Sequence, residues 1–163
     1  MLALHIPDVR DFTSKLFLGD VFDAFYCCEA SFTTYFTCTI DGNLKKEFFD
    51  SQEAPKDRDL CLWEEIKPYC RTLIRGRHTP LHFQIVFQLS HKNVEKLLQL
   101  SGLSLSPENI SGLYLNCRFD RGSLICTTGT ALRIFTMDKS LDQAWDSMVT
   151  RFFRQKEIPF QEV

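Results

Sequence analysis

The clearest hydrophobic pattern in the chain lies near its C-terminal end and predicts an amphipathic helix. Apolar residues recur there at positions i, i+4, i+7, i+8 and i+11, which places them in one stripe of a helix. The stripe consists of Leu141, Trp145, Met148, Val149 and Phe152. Ser140 is a suitable N-cap, and Gln143 three residues later completes a capping box. Such a stripe has to be buried, and we expect the preceding strands to cover it.

Three short strands are predicted just before this helix. A two-residue turn at Arg121 and Gly122 joins the first two and places Cys117 directly opposite Cys126. We expect these two thiols to be close together and reduced. The predicted strands are Leu113–Phe119, Ser123–Thr128 and Ala131–Thr136.

The chain begins with a pattern of the same kind. A short strand is predicted at Leu2–His5, and a helix follows Pro7 and ends before Gly19. The apolar face of that helix consists of Val9, Phe12, Leu16 and Phe17.

A segment rich in β-branched and aromatic residues comes next and predicts strands. Because Phe22–Ile40 is too long for one strand, we predict two, broken near Glu29–Ser31. The residues Asp41–Asn43 form a strong hairpin signal, which predicts a further strand at Leu44–Phe49. The polar segment Asp50–Asp59 is predicted to be an exposed loop.

A second amphipathic helix is predicted over Leu62–Ile74, with Gly76 as its end. Pro68 lies inside this helix and removes one backbone donor. We therefore predict a kink or a break at this position.

The second half repeats this order of elements. Alternation predicts a strand over Pro80–Leu89, and Ser90 is predicted to cap a third helix. The residues Ser106–Glu108 predict a single helical turn. The buried face of the third helix is predicted to contain Val94, Leu97, Leu98 and Leu100.

These elements predict an α+β fold with mostly antiparallel strands and helices packed on one face of one or two sheets. We expect a single domain over residues 1–163. The order strand, helix, three strands, helix occurs over residues 1–75 and again over 80–155, which predicts a duplicated β-α-β-β-β-α unit whose halves superpose by a simple rotation.

Composition and charge argue against several classes of protein. The 163 residues carry a net charge of −2, which argues against a general nucleic-acid binder. No apolar run approaches the about 20 residues that a membrane span needs, so no membrane contact is predicted. The start of the chain does not resemble a signal peptide. The seven cysteines lack a C-x-x-C pair, so we expect buried thiols and a cytoplasmic protein.

The usual catalytic patterns are missing from the sequence. There is no G-x-S-x-G motif, no phosphate-binding glycine loop and no dinucleotide fingerprint. His78 and His82 are four residues apart, but Pro80 between them excludes a helical metal pair. We therefore predict no metal, no cofactor and no catalytic residues. A non-enzymatic binding domain is favoured, whose partner is another protein or a second copy of the chain.

One basic cluster is the candidate site for an anion or a partner. It follows the second helix and consists of Arg71, Arg75, Arg77 and His78. Arginines in a cluster can hold phosphate or carboxylate through paired hydrogen bonds. The alternative is a basic helix end that complements the helix dipole. An enzyme or small-ligand protein with a cleft near Arg75–His82 is the main alternative function.

Aromatic residues on the predicted strands offer a second candidate surface. Tyr26, Tyr35 and Phe36 can form a stacking surface for single-stranded nucleic acid. A packed core or a dimer face is the favoured interpretation of the same residues.

Three runs of sequence resemble a known bacterial family. They are LWEEIKPYC at Leu62–Cys70, TPLHF at Thr79–Phe83 and CTTGTALRIFTMDKSLDQAWD at Cys126–Asp146. The family has chains of about this length, is known mainly from Firmicutes and is a domain of unknown function. The resemblance therefore implies an intact domain and no particular chemistry.

The order of elements and the opening run MLALHIPDVRDF at Met1–Phe12 also resemble a sliding DNA clamp domain. This resemblance implies a clamp-like architecture and a nucleic-acid accessory function. The extra helices depart from the clamp pattern, and acidic residues accompany the basic ones on the first and third helices.

Overall fold

The computed structural model describes residues 1–163. Its strands are β1 (Ala3–Ile6), β2 (Tyr26–Thr33), β3 (Thr37–Asp41), β4 (Cys61–Leu62), β5 (His82–Gln88), β6 (Ile110–Asp120), β7 (Ser123–Leu132) and β8 (Gln161–Glu162). Its helices are α1 (Val9–Phe17), α2 (Trp63–Ile74), α3 (His91–Ser101) and α4 (Ser140–Gln155). The structure thus confirms the predicted α+β class.

All eight strands belong to one antiparallel sheet, in the order β3-β2-β5-β6-β7-β1-β8. The short strand β4 pairs with the beginning of β2 on the same side as β3. None of the helices is both long enough and apolar enough to cross a bilayer.

Alternation along the strands decides which face of the sheet is covered. In β5, Phe83, Ile85 and Phe87 are buried, while His82 and Gln84 on the other face are partly exposed. The buried face and the buried stripes of the helices form one cluster of 32 residues. The predicted helical layer on one face of the sheet is therefore confirmed.

Two tryptophans attach helices to their neighbours. Trp145 of α4 is 1% exposed, and its indole N–H donates to the carbonyl of Tyr114 in β6 at 2.9 Å. The indole N–H of Trp63 in α2 donates to the carbonyl of Leu16 in α1 at 2.9 Å. These bonds satisfy the only polar group of each ring inside the core.

The β6–β7 hairpin forms as predicted. Arg121 and Gly122 have φ values of 50° and 90°, which a primed two-residue turn requires. Cys117 pairs with Cys126, and their sulfur atoms lie 3.5 Å apart as free thiols.

The predicted break near Glu29–Ser31 is wrong. Strand β2 continues through it because Ala30 and Phe32 point into the core while Glu29 and Ser31 point outward. A bulge between Cys27 and Glu29 keeps that alternation in register. The chain turns instead between Thr33 and Thr37.

The predicted strand at Leu44–Phe49 is also wrong. Gly42 does not form a hairpin turn but continues along β2, where its N–H donates to the carbonyl of Cys28 at 2.9 Å and an added Cβ would lie 1.7 Å from the carbonyl oxygen of Cys27. After this close contact the chain leaves the sheet through a helical turn at Lys46–Phe48. The following segment, Asp50–Asp59, is the exposed loop that the sequence predicts.

The two strands predicted at Ser123–Thr128 and Ala131–Thr136 are one strand, β7, that ends at Leu132. Its hydroxyl groups Thr128 and Thr130 donate to Asp146 and Asp142 of α4, which holds this strand against the helix.

Helix α2 shows no break at Pro68. Pro68 and Glu64 are both exposed, so the carbonyl that loses its partner faces water. Trp63, Ile66 and Cys70 hold the opposite side of the helix in the core.

Three details of α3 and α4 differ from the prediction. Helix α4 begins one residue earlier than expected, since Ser140 is its first residue and not its N-cap, and the Ser140 N–H donates to the Asp138 carboxylate at 2.9 Å. Phe153 is buried in the stripe, whereas Met148 and Phe152 are only partly buried. In α3, Leu100 is exposed.

Neither the order of elements nor the strand neighbours repeat fully, because β2, β3 and β4 lie between α1 and α2, whereas only β6 and β7 lie between α3 and α4. Strand β5 lies between β2 and β6, whereas β1 lies between β7 and β8. An exchange of the two halves by one rotation would give β1 and β5 equivalent neighbours, so the sheet contradicts that superposition.

Candidate functional site

The predicted basic cluster lies at one end of the sheet, where α2 ends. Arg75 follows the last residue of α2, and its N–H donates to the carbonyl of Arg71 at 2.9 Å. The chain then bends at Gly76, which has a φ of 156°. Gly76 is exposed, and no atom lies within 4 Å of where its Cβ would be. Arg77 and His78 follow on the surface before β5 begins.

Helix α1 brings a further arginine to the same place. Because β1 ends beside the β6–β7 turn, the chain enters α1 at this end of the sheet. The side chain of Asp8 accepts a bond from the N–H of Asp11 at 3.0 Å and caps the helix. Arg10 in the first turn therefore faces the end of α2.

A groove separates α1 from the end of α2 and the segment before β5, and we call it the α1–α2 groove. It consists of two adjoining depressions of about 440 and 540 Å³. Both share Arg10, Thr13, Phe17, Ile74 and Gly76 as lining residues. One depression adds Arg71 and Arg75, and the other adds Arg77, His78 and Pro80.

The charge of this groove has one sign. No aspartate or glutamate lines either depression. The six ion pairs of the protein involve other cations, so Arg10, Arg71, Arg75 and Arg77 have no carboxylate within 4.0 Å. On a chain with a net charge of −2, four unpaired arginines at one groove produce a local positive potential.

This arrangement suits an anion with several oxygen atoms. Guanidinium groups from two elements can approach such a group from opposite sides, each with paired N–H donors. Thr13 adds a hydroxyl group, and Phe17 and Ile74 form an apolar floor. The structure thus brings all four residues of the predicted cluster to the same groove as Arg10 of α1.

A second groove, larger than either of these two depressions, lies between α3 and α4, and the sequence pattern did not reveal it. It measures about 680 Å³, and its apolar side chains include Leu97, Leu100, Met148 and Phe152. Lys96 and Arg151 are its only charged lining residues. Leu100, which was predicted to be buried, is 83% exposed beside it. We call this surface the α3–α4 groove.

Burial keeps Cys27, Cys28 and Cys70 in the protonated thiol form. Burial, followed by the nearby Cys70, raises the pKa of the Cys27 thiol far above its ordinary range. Burial likewise raises the pKa of Cys28 to about 11 and that of Cys70 to about 12. A nucleophilic cysteine needs the opposite shift, because the thiolate is the reactive form. No three His, Cys, Asp or Glu side chains are placed to hold a metal ion.

The aromatic residues that were considered as a stacking surface separate into two places. Tyr26 is buried, and its hydroxyl oxygen accepts a bond from the N–H of His91 at 3.4 Å. Tyr35 and Phe36 lie together in the exposed turn between β2 and β3.

Comparison with known proteins identifies a family but no activity. A family model described as "Family of unknown function (DUF5721)" matches residues 15–161. No curated protein and no solved structure matches the chain. The match confirms the predicted resemblance to a domain of unknown function, whereas the link to Firmicutes and the resemblance to a clamp stay predictions.

Proposed function

We propose that this chain, which belongs to the family of unknown function DUF5721, is a non-catalytic binding domain that holds an anionic group in the α1–α2 groove. The observation that carries the proposal is the set of unpaired arginines around a groove without a carboxylate. Each exposed arginine alone contributes little, about 1 kcal/mol or less, so the proposal depends on several acting on one ligand. We also propose a cytoplasmic location, which suits seven free cysteines.

The ligand class that this groove suits best is a phosphate group. A phosphate offers oxygen atoms on several sides, which matches guanidinium groups that arrive from α1 and from the α2 end. No hydroxyl group of the groove is hydrogen-bonded to His78, and no carboxylate lies there to orient a base, so binding rather than turnover is proposed.

The test uses inorganic phosphate as the probe. Amide signals of the ¹⁵N-labelled protein are followed by nuclear magnetic resonance while phosphate replaces chloride at constant ionic strength. We expect saturable shifts at Arg10, Gly76, Arg77 and His78. The variant Arg75→Gln/Arg77→Gln should bind phosphate about tenfold more weakly or worse, which corresponds to about 1.4 kcal/mol.

A matched control removes the same charge elsewhere. Lys92 and Lys156 are exposed and lie in neither depression. Lys92→Gln/Lys156→Gln should bind phosphate like the unaltered protein. Equal weakening in the two double variants would mean that only net charge matters, and the proposed site would be wrong.

The α3–α4 groove favours a second candidate function, namely docking of a partner protein. We propose that its occupant is an amphipathic helix with acidic residues beside its apolar stripe. An apolar floor flanked by Lys96 and Arg151, with no acidic lining residue, complements such a helix. Helix α4 has 16 residues and spans about 24 Å, which offers contact to about four turns.

This candidate is tested by selection from a displayed library of random 18-residue peptides. The enriched peptides should carry apolar residues at i, i+3 or i+4, and i+7, with flanking Asp or Glu. They should not bind the Leu100→Asp variant. Peptides without this pattern, or peptides that bind the variant equally well, contradict helix docking. Sedimentation of the protein alone at increasing concentration reveals whether a second copy occupies the groove instead.

A further inference from the structure

The turn between β2 and β3 exposes a pair of aromatic rings, and we call Thr34–Phe36 the aromatic turn. Tyr35 is 95% exposed and Phe36 is 48% exposed. Their ring centroids are 5.0 Å apart with an interplanar angle of 62°, so each ring supports the other. Two large rings without a buried partner are costly in water and suggest a surface that another molecule covers.

The aromatic turn is held in place by bonds on both sides. The N–H of Thr34 donates to the carbonyl of Phe36 at 2.9 Å. The hydroxyl groups of Thr33 and Thr37 share a bond of 2.9 Å across the two strands. A fixed turn loses little conformational entropy when a flat ligand stacks on it.

The aromatic turn and the α1–α2 groove adjoin at the same end of the sheet. The N–H of Leu81 donates to the carbonyl of Thr33 at 2.9 Å, directly before the turn. Pro80, the preceding residue, lines the groove. The backbone N–H of Arg121 donates to the carbonyl of Leu81 at 3.1 Å. The side chain of Arg121 is a further exposed cation at this end of the sheet. Two exposed carboxylates, Asp8 and Asp120, also belong to this end of the sheet.

Only a short chain segment links the groove to the residue beside the aromatic turn. From Arg77 to Leu81 the chain covers at most about 14 Å. Stacked nucleotides rise by about 3.4 Å each along one strand, so about four nucleotides cover that distance. A single strand exposes both its phosphates and the faces of its bases, whereas a duplex hides the faces from an aromatic side chain.

From this juxtaposition we propose that the ligand of the α1–α2 groove is single-stranded nucleic acid, whose phosphates contact the arginines and whose bases stack on Tyr35 and Phe36. The inference rests on the proposed anion site and adds the aromatic turn to it. Alternating cations and open aromatic rings are the combination that single-strand binding uses. Loss of an aromatic ring and loss of a cation should therefore have different effects on the salt dependence of binding.

The test measures fluorescence anisotropy of a fluorescein-labelled ten-residue oligothymidylate over a range of salt concentrations. Tyr35→Ala should weaken binding about 5- to 100-fold and leave the slope of log K against log[salt] unchanged. Arg77→Gln should reduce the magnitude of that slope by about 0.7, because one phosphate contact is lost. Both residues are exposed, so neither change should disturb folding.

The matched control is Phe135→Ala. Phe135 is 93% exposed in the segment after β7 and lies away from the aromatic turn, because β7 runs from the β6–β7 turn towards the opposite end of the sheet. This variant should bind the oligonucleotide normally. An equal loss in both variants would overturn the stacking role of Tyr35.

Other outcomes separate this inference from the proposed function. Two results would overturn the nucleic-acid proposal and leave the anion site intact. The first is phosphate binding in the groove without oligonucleotide binding, and the second is oligonucleotide binding that Tyr35→Ala does not weaken. Tighter binding of a matched duplex overturns it as well. Tyr35-dependent binding to phosphatidylserine vesicles without oligonucleotide binding would identify a membrane surface, and not nucleic acid, as the ligand. Absence of both phosphate and oligonucleotide binding removes both proposals.

Discussion

The carboxylate of Glu65 shows how much one residue contributes to local structure in this protein. One of its oxygens accepts the N–H of Leu62 at 2.7 Å, just before α2 begins. The same group receives two bonds from the Arg58 guanidinium, at 2.7 and 3.2 Å. It thereby joins the exposed loop to the start of the helix, and it satisfies a backbone donor that α2 leaves unpaired.

We predict that Glu65→Gln lowers the free energy of unfolding by about 1 kcal/mol at pH 7, because Arg58 then faces a neutral amide with one acceptor oxygen in place of a carboxylate with two. Urea denaturation measures the change. Glu64→Gln is the matched control, since Glu64 lies in the same helical turn without an ion pair and should have little effect. Equal effects of the two substitutions would contradict this role of Glu65.

The pH dependence of that difference has a definite sign. Burial alone would raise the pKa of Glu65, but the bonds from Arg58 and Leu62 lower it below its ordinary value. A lowered folded pKa adds stability above the unfolded pKa of about 4.3, and this stability is lost as the pH falls through the folded pKa. The difference between Glu65→Gln and the unaltered protein should therefore shrink as the pH falls below about 4.3 and be lost once the pH is below the folded pKa.

Thiol reactivity is a second property of single residues. Because burial raises the pKa of Cys70 to about 12, almost no thiolate is present at pH 8. In a timed reaction with iodoacetamide, Cys70 should be modified only as fast as the protein unfolds. Cys38, partly exposed on the edge strand β3, should be modified first. Equal rates for the two, measured by peptide mass spectrometry, contradict this prediction.

At the scale of elements, α2 shows why a helix-breaking residue does not always break a helix. Pro68 costs a backbone bond wherever it stands in a helix interior. Its position on the exposed side lets water satisfy the freed carbonyl, and the buried side of α2 continues without interruption. Sequence periodicity identified this helix, but its continuity depended on which side faced the core.

We predict that Pro68→Ala raises the free energy of unfolding by about 1–3 kcal/mol, because the helical bond returns and the steric conflict disappears. Pro107→Ala is the control, since Pro107 starts a helical turn, where its missing N–H is not needed. That control should lower stability by about 0.4–1 kcal/mol. A loss of stability in Pro68→Ala would contradict the interpretation.

At Gly42, as at Pro68, the surroundings in the fold decide which residue the position accepts. The backbone of β2 lies so close that an added Cβ would meet the carbonyl carbon and oxygen of Cys27 at 2.7 and 1.7 Å. We predict that Gly42→Ala lowers the free energy of unfolding by about 3 kcal/mol or more, since two backbones must separate. Gly129→Ala, whose Cβ would meet no atom closer than 4.0 Å, should change it far less. Thermal melts of the two variants provide the comparison.

At the scale of the whole molecule, one core connects elements that are distant in sequence. Phe22 stacks on Phe87 at 5.2 Å and 7°, and it also contacts Phe153 at 6.5 Å. Strands β1 and β7, from opposite ends of the chain, are hydrogen-bonded neighbours. Unfolding of either end alone would expose this shared core, so we expect one cooperative unit.

The two tryptophans test this expectation. Trp63 and Trp145 are the only tryptophans, and both are buried in different helices. In Trp63→Phe and Trp145→Phe, the remaining indole reports on one part of the molecule. We predict that fluorescence and circular dichroism transitions in urea coincide within each variant. A fluorescence transition at lower urea in only one variant would indicate two separately folding units and contradict a single domain.

The sequence by itself determined most of the elements, because helical and alternating periods are local properties that burial on one side imposes. It also determined the β6–β7 register, since a two-residue turn leaves one pairing for Cys117 and Cys126. Only the tertiary structure decided that β1 pairs with β7, that Pro68 faces water and that Gly42 lies against β2. Each of these depends on a partner far away in the chain, about which a local pattern carries no information. For the same reason the sequence identified Arg71, Arg75, Arg77 and His78, while only the fold placed Arg10 and the aromatic turn beside them.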